Sequence, residues 1–181
     1  MTLLGRLAMG LSLRIAISDL YARRVPNAWL AGACALALPL IVAGQFSGPH
    51  LPWWGHLLGA ALGLASLLPF YAIGWMGAGD VKFFAVLGLL LGWNALLPIW
   101  IAASLVAGLH AVLVVSTRRL MPWVSPRLQL HCARWSAHWQ ARPVIRGMHL
   151  ARQGRQGIPY AAYLAFAAIG WVAASSQGVL P

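Results

Sequence analysis

Two side chains are placed to do acid–base chemistry as a pair: Asp19 and Asp80, the only side-chain carboxylates among 181 residues. Each sits where a long apolar segment meets a short polar turn. A carboxylate at a membrane boundary costs desolvation free energy, so a chain stripped of every other Asp and Glu gives these two a task. Two carboxyls held close together cannot both ionise cheaply. Such a pair shares one proton, the ionised member drawing a proton from water and the protonated member polarising a carbonyl. Each residue alone has a plainer reading. Asp19 can pair with Arg23 four positions on, worth a few tenths of a kcal/mol, and Asp80 can cap a helix, worth about 1 kcal/mol. Neither reading explains why these acids alone are present on one expected face. Gly77 and Gly79 before Asp80 lack Cβ atoms, so the backbone can turn sharply there and let an extended peptide approach. Asp80 precedes a helix, whose dipole favours an anion, and Asp19 ends one, so Asp80 is expected to be the resting base. Arg23 and Lys82 are the charges placed to tune or reverse that order.

The elements that must position the pair are membrane helices. With 61% hydrophobic and 8% charged residues, the chain lacks the polar exterior a water-soluble domain needs. Apolar stretches run over 3–18, 28–43, 53–73, 81–97, 98–116 and 158–174, giving an all-α polytopic membrane protein of about six transmembrane helices. Gly92, Asn94 and Pro98 are the turn candidates that fold 81–116 into two. The first stretch carries Arg6 and Arg14. It is expected to remain as a helix, because Arg14 interrupts a signal-peptide core and no small-residue cleavage site precedes Asp19 cleanly.

Arg23 and Arg24, Lys82, and the arginines of 118–157 fall in alternate connections, whereas 45–52 and 92–98 carry no Lys or Arg. The positive-inside rule then puts both termini outside and both aspartates at the cytoplasmic face. Trp29, Trp53, Trp54, Trp75, Trp93, Trp100 and Trp171 lie near expected helix ends, as an aromatic belt would place them. The net charge of +11 is juxtamembrane, with no nucleic-acid-binding module, so attraction to anionic lipid accounts for it. Residues 118–157 form the sizeable polar segment of a single unit spanning 1–181. Within it Leu128, Cys132, Trp135 and Trp139 recur at helical spacing, opposite Arg134, His138 and Arg142. That pattern fits a short helix lying on the membrane, or an Arg-rich connector that only fixes topology. Cys34 and Cys132 are expected in different compartments and unpaired. His131, Cys132 and His138 lack a CxxC pair and a fourth ligand, so no zinc site is expected.

The run Gly77-Ala78-Gly79-Asp80-Val81-Lys82 resembles the GxGD signature of the type IV prepilin peptidases. Asp19 with its basic, Pro26-Asn27 turn resembles their first catalytic-aspartate motif. Gly157-Ile158-Pro159-Tyr160 is similar to a third segment in the short members that serve Flp-type (tight-adherence) pili. The resemblance implies a multi-pass protein of the bacterial inner membrane whose catalytic residues are Asp19 and Asp80. Such an endopeptidase removes the short basic leader of pilin and pilin-like precursors on the cytoplasmic side, with no metal and no cofactor. Long members also methylate the new N-terminus through a domain with paired cysteines. This chain has neither CxxC pairs nor an insertion between the first two helices, so methyltransferase activity is not expected. Two rivals remain: a proton-coupled transporter, which would hold acids near helix centres, and a non-proteolytic pilus assembly factor.

Overall fold

The computed structural model describes residues 2–45, 52–152 and 158–177. Every regular element among them is helical: α1 (Leu3–Ala22), α2 (Asn27–Gly44), α3 (Trp53–Ala72), α4 (Ala78–Leu91), α5 (Trp93–Leu120), a 3₁₀ turn (Met121–Trp123), α6 (Pro126–Gln140), α7 (Pro143–Arg152) and α8 (Tyr160–Ser176). Residues 46–51, Arg155 and Gly157 of the sequence reading lie outside the described residues.

Proline sets most helix starts, since its fixed φ suits an N-terminus that needs no N–H there. Pro26, Pro52 and Pro159 are N-caps, and Pro126 and Pro143 open α6 and α7. At the start of α1 the Thr2 hydroxyl accepts the Gly5 N–H at 3.1 Å. Helix α1 stops at Arg23, whose left-handed conformation (φ 54°) turns the chain toward α2. Of the three turn candidates in 81–116, Gly92 makes the break, at φ 83°. Pro98 lies inside α5 instead. The boundary between the two apolar stretches therefore falls at residue 92, because only glycine adopts that positive φ without strain.

The six apolar stretches fall on helices, 81–97 being divided between α4 and α5, but they are not six equal spans. Helices α2, α3 and α5 are long and apolar enough to cross a membrane. Helix α1 is interrupted by Arg6 and by Arg14, which stacks over the Trp29 ring at 4.9 Å. Helix α4 has only 14 residues, a rise of about 21 Å against a hydrocarbon core of about 30 Å. Its shortness follows from its place at the centre. Val81, Phe83, Phe84, Val86, Leu87, Leu89 and Leu90 are all buried, so α4 is enclosed by protein on nearly every side. The outer helices instead expose Leu, Val and Ile, such as Leu105 and Leu109 of α5, the inverse of a soluble fold and the pattern of a lipid-facing surface.

Among lipid tails, apolar side chains gain little by meeting one another, so helix association rests on close packing and hydrogen bonds. Helices α3 and α4 meet in that way. Gly59 and Gly88 face each other so closely that a Cβ on either would overlap the other's backbone, and one on Gly63 would lie 2.8 Å from the Phe84 carbonyl oxygen. Beside this seam His56, buried, donates from Nδ1 to the Leu89 carbonyl at 2.9 Å. Helix α8 packs along α1 and α5 on the other side of α4. The polar segment 118–152 is two helices rather than a loop. At about 100° per residue, the stripe Leu128, Cys132, Trp135 and Trp139 adjoins the Arg134 and His138 side of α6 rather than opposing it.

Substituting Gly59→Ala should destabilise the folded protein by about 1–3 kcal/mol, the usual cost of overpacking. Gly108→Ala, with open space around the new methyl, should stay within about 0.5 kcal/mol. Thermal unfolding in detergent checks this, and equal effects at the two sites would remove the close-packing argument.

Candidate active site

The C-terminal end of α1 and the N-terminal ends of α2, α4 and α8 converge at one end of the bundle around a cavity of about 960 Å³. Its lining includes Asp19, Arg23, Arg24, Gly77, Gly79, Asp80 and Tyr160. The two carboxylates, far apart in sequence, thus share one space.

Helix α4 presents Asp80 through its cap. Gly77 is the N-cap and Asp80 the third helical residue, so Asp80 is not itself the cap. Its Oδ2 accepts the Gly77 N–H at 3.2 Å, while the Asp80 N–H donates to the Gly77 carbonyl at 3.1 Å. Gly79 is needed for packing, since a Cβ there would lie 2.9 Å from Val25 Cβ in the turn between α1 and α2. Around Gly77 a Cβ would meet Asp80 Oδ2 at 3.4 Å and the Gly79 nitrogen at 4.0 Å, both ordinary contacts. Lys82 reaches across to Asn27 Oδ1 at 3.4 Å and ties α4 to the same turn.

Asp19 is buried, near the end of α1. Its Oδ2 accepts the Ala162 N–H at 3.0 Å, and the neighbouring Ala161 N–H lies near enough to the Asp80 carboxyl to favour its ionised form. These are first-turn amides of α8, which have no partner inside their own helix. The α8 terminus, with its positive dipole end, therefore faces both acids, bonded to Asp19 and favouring the ionised form of Asp80. On its other side Tyr160 shares a 3.0 Å hydrogen bond with Ser104 of α5. Arg152 of α7 donates from Nη2 to the Leu20 carbonyl at 2.7 Å, next to Asp19. Arg23 Nε and Nη1 and Arg152 Nε are buried with no hydrogen-bond partner among the described residues.

Both aspartates lie one residue beyond the apolar stretches 3–18 and 81–97. Burial raises the Asp19 carboxyl, opposed by the Ala162 N–H and by the charges of Arg23 and Arg152. Burial, and then the Asp19 charge, push Asp80 up to about 6, opposed by the N–H groups of Gly77 and Ala161. Asp80 is thus the member that holds its proton up to about pH 6, with the charge of Asp19 among the causes. This reverses the order expected from helix dipoles. Two guanidinium charges act on Asp19, and the dipole of α8, absent from the sequence argument, serves both acids.

The site joins Asp19, Asp80, Arg23, Gly77 and Gly79, all singled out from sequence. Sequence reasoning missed the two α8 amides, Arg152, Tyr160 with Ser104, and Val25. Pro159-Tyr160 was the available signal for the amides, because it marks a helix start. Arg152 gave none among so many arginines. Among the described residues no group of His, Cys, Asp or Glu side chains could hold a metal ion, and Cys34 and Cys132 are free thiols.

The sequence profile of the type IV leader peptidase family matches residues 7–112, which include both aspartates. A curated relative from Bacillus subtilis (strain 168), a prepilin leader peptidase/N-methyltransferase, is 34% identical over 108 residues, covering 59% of this chain and 42% of the relative. The chain thus spans less than half the length of that relative. No solved structure matches it.

Removing the charge of Arg23 (Arg23→Gln) should raise the Asp19 pKa, because a cation lowers it by favouring the ionised form. The acid limb of any reaction that needs ionised Asp19 should then move to higher pH. An unmoved limb in a pH–rate profile would show that Arg23 does not set the Asp19 charge.

Proposed function

The chain belongs to the type IV leader peptidase family, and on that premise we propose that it is a membrane aspartic endopeptidase. Its substrates are type IV, Flp-type pilin precursors, from which it removes the short N-terminal leader at the cytoplasmic face, without N-methyltransferase activity. The observation that carries this reading is the convergence of Asp19 and Asp80 on one cavity, faced by the consecutive amides of Ala161 and Ala162.

Below about pH 6, in this reading, the resting pair holds Asp19 ionised and Asp80 protonated. A water molecule gives a proton to Asp19 as its oxygen attacks the scissile carbonyl carbon, and the Asp80 proton passes to the carbonyl oxygen. The tetrahedral intermediate then breaks its C–N bond. Asp19 returns its proton to the leaving nitrogen, and Asp80 recovers one from a hydroxyl, so both carboxyls regain their starting states. Water supplies the hydroxyl of the new carboxyl terminus. The buried, unpartnered donors of Arg23 and Arg152 suit the carbonyl oxygens of an extended peptide, since an unsatisfied buried donor costs about 1–3 kcal/mol until an acceptor reaches it.

The position of both acids at helix ends favours proteolysis over proton transport, which needs acids along a path through the bilayer. The cytoplasmic placement rests on Arg23, Arg24 and Lys82 gathered around the cavity end, where the positive-inside rule holds them. The absence of methylation rests on the cysteines, just two and ninety-eight positions apart, which leave no paired-cysteine module within the chain.

Purified protein incubated in detergent with a pilin precursor should yield a shortened product, and Asp19→Asn and Asp80→Asn should each cut the rate by about 10²–10⁴-fold, the range that proton transfer supplies. With S-adenosylmethionine added, mass analysis should find the new N-terminus unmethylated. Near-normal cleavage by either variant refutes the pair, and a methylated product refutes the restriction to proteolysis.

A further inference from the structure

Helix α6 buries none of its residues. Two parallel stripes run along it, each with the spacing i, i+4, i+7, i+11: Leu128, Cys132, Trp135 and Trp139, and, one position earlier, Arg127, His131, Arg134 and His138. That spacing places each stripe on one face, the second rotated by a single residue. The apolar stripe is bare, Trp135 being 69% and Leu128 54% exposed. Arg142, just past the helix, lies over the Trp139 ring at 4.0 Å, keeping a guanidinium at the edge of the aromatic stripe. No carboxylate lies within 118–157 to neutralise these cations.

The helix is also tethered at a fixed depth. Only the 3₁₀ turn and two residues separate it from α5, a candidate membrane span, so α6 starts within reach of the surface at which α5 emerges. We propose that α6 is an interfacial helix seated on the bilayer, its Leu128–Trp139 stripe in the acyl boundary and its Arg127, Arg134 and Arg142 on the phosphates of anionic phospholipid. Basic residues flanking an apolar stripe are what such a seat requires, and the occupant is the membrane in which the chain already resides. From α6 the chain passes into α7, which packs on the end of α1. A Cβ at Gly147 would lie 2.8 Å from the Tyr21 hydroxyl, and Arg152 bonds the Leu20 carbonyl. The lipid-seated helix is therefore joined through one short helix to the arginine beside Asp19.

The native Cys132, on the apolar stripe, serves as the reporter. Full-length protein carrying Cys34→Ser, with a polarity-sensitive fluorophore on Cys132, is reconstituted in phosphatidylcholine vesicles with and without phosphatidylglycerol. In anionic vesicles the probe should be blue-shifted and shielded from acrylamide, a neutral aqueous quencher. Arg127→Gln/Arg134→Gln/Arg142→Gln should weaken that seated state by on the order of 10²-fold, since each surface arginine contributes about fivefold, and raised salt should release the unsubstituted helix. Equal shielding in both vesicles, unchanged by the substitutions or by salt, overturns the role of anionic headgroups. A probe exposed to water in anionic vesicles overturns the seat itself and leaves the stripe to a protein partner.

Discussion

The structure turns on two backbone amides. Ala161 and Ala162 open α8, where an α-helix cannot satisfy its own N–H groups, and they favour the ionised carboxyls of Asp80 and Asp19. The Ala162–Asp19 bond ties the end of α1 to α8, and the start of α4 joins them around the same cavity. The amides also give two acids, otherwise repelled by each other and by the loss of water, a reason to stay together. Burial raises both carboxyls and the Asp19 charge raises Asp80 further, while the amides, and for Asp19 the arginines, oppose the rise.

Holding Asp80 at that point demands that α4 be placed firmly although it is too short to cross a bilayer unaided. The Gly59–Gly88 contact and the His56–Leu89 hydrogen bond fix it against α3, and Gly79 lets its first turn sit on Val25. A central helix enclosed by protein needs no lipid-facing length, so beyond Lys82 its sequence is apolar all round while its span is brief. The catalytic reading and the packing thus share one glycine, Gly79, for different reasons. In Gly79 the missing side chain accommodates a neighbouring turn before it accommodates any substrate.

Much of this was legible in the residues. The scarcity of carboxylates singled out Asp19 and Asp80, the apolar stretches placed α1, α2, α3 and α8, and the spacing of Leu128, Cys132, Trp135 and Trp139 indicated α6, whereas α7 was not anticipated. Gly92 stood among the turn candidates, but nothing in a run of Leu and Gly distinguishes it from Asn94 or Pro98 until φ is known. The α8 amides were invisible because backbone donors carry no residue type. Arg152 was hidden by the abundance of arginine, and with it the reversal of roles, since a helix-dipole argument sees only the helices on which the acids themselves sit.

The central claim is that Asp19 and Asp80 titrate as one coupled pair with Asp80 keeping the proton. Because they are the only side-chain carboxyls in the chain, protein labelled with ¹³C-aspartate gives an infrared carboxyl signal from these two residues alone. On raising the pH, one carboxyl should ionise first and the other should keep its protonated band until about pH 6. In Asp19→Asn the remaining band should disappear at lower pH, because the charge that raised Asp80 has gone. Two carboxyls ionising together in the ordinary aspartate range, or an Asp80 titration unmoved by the loss of Asp19, would contradict the account.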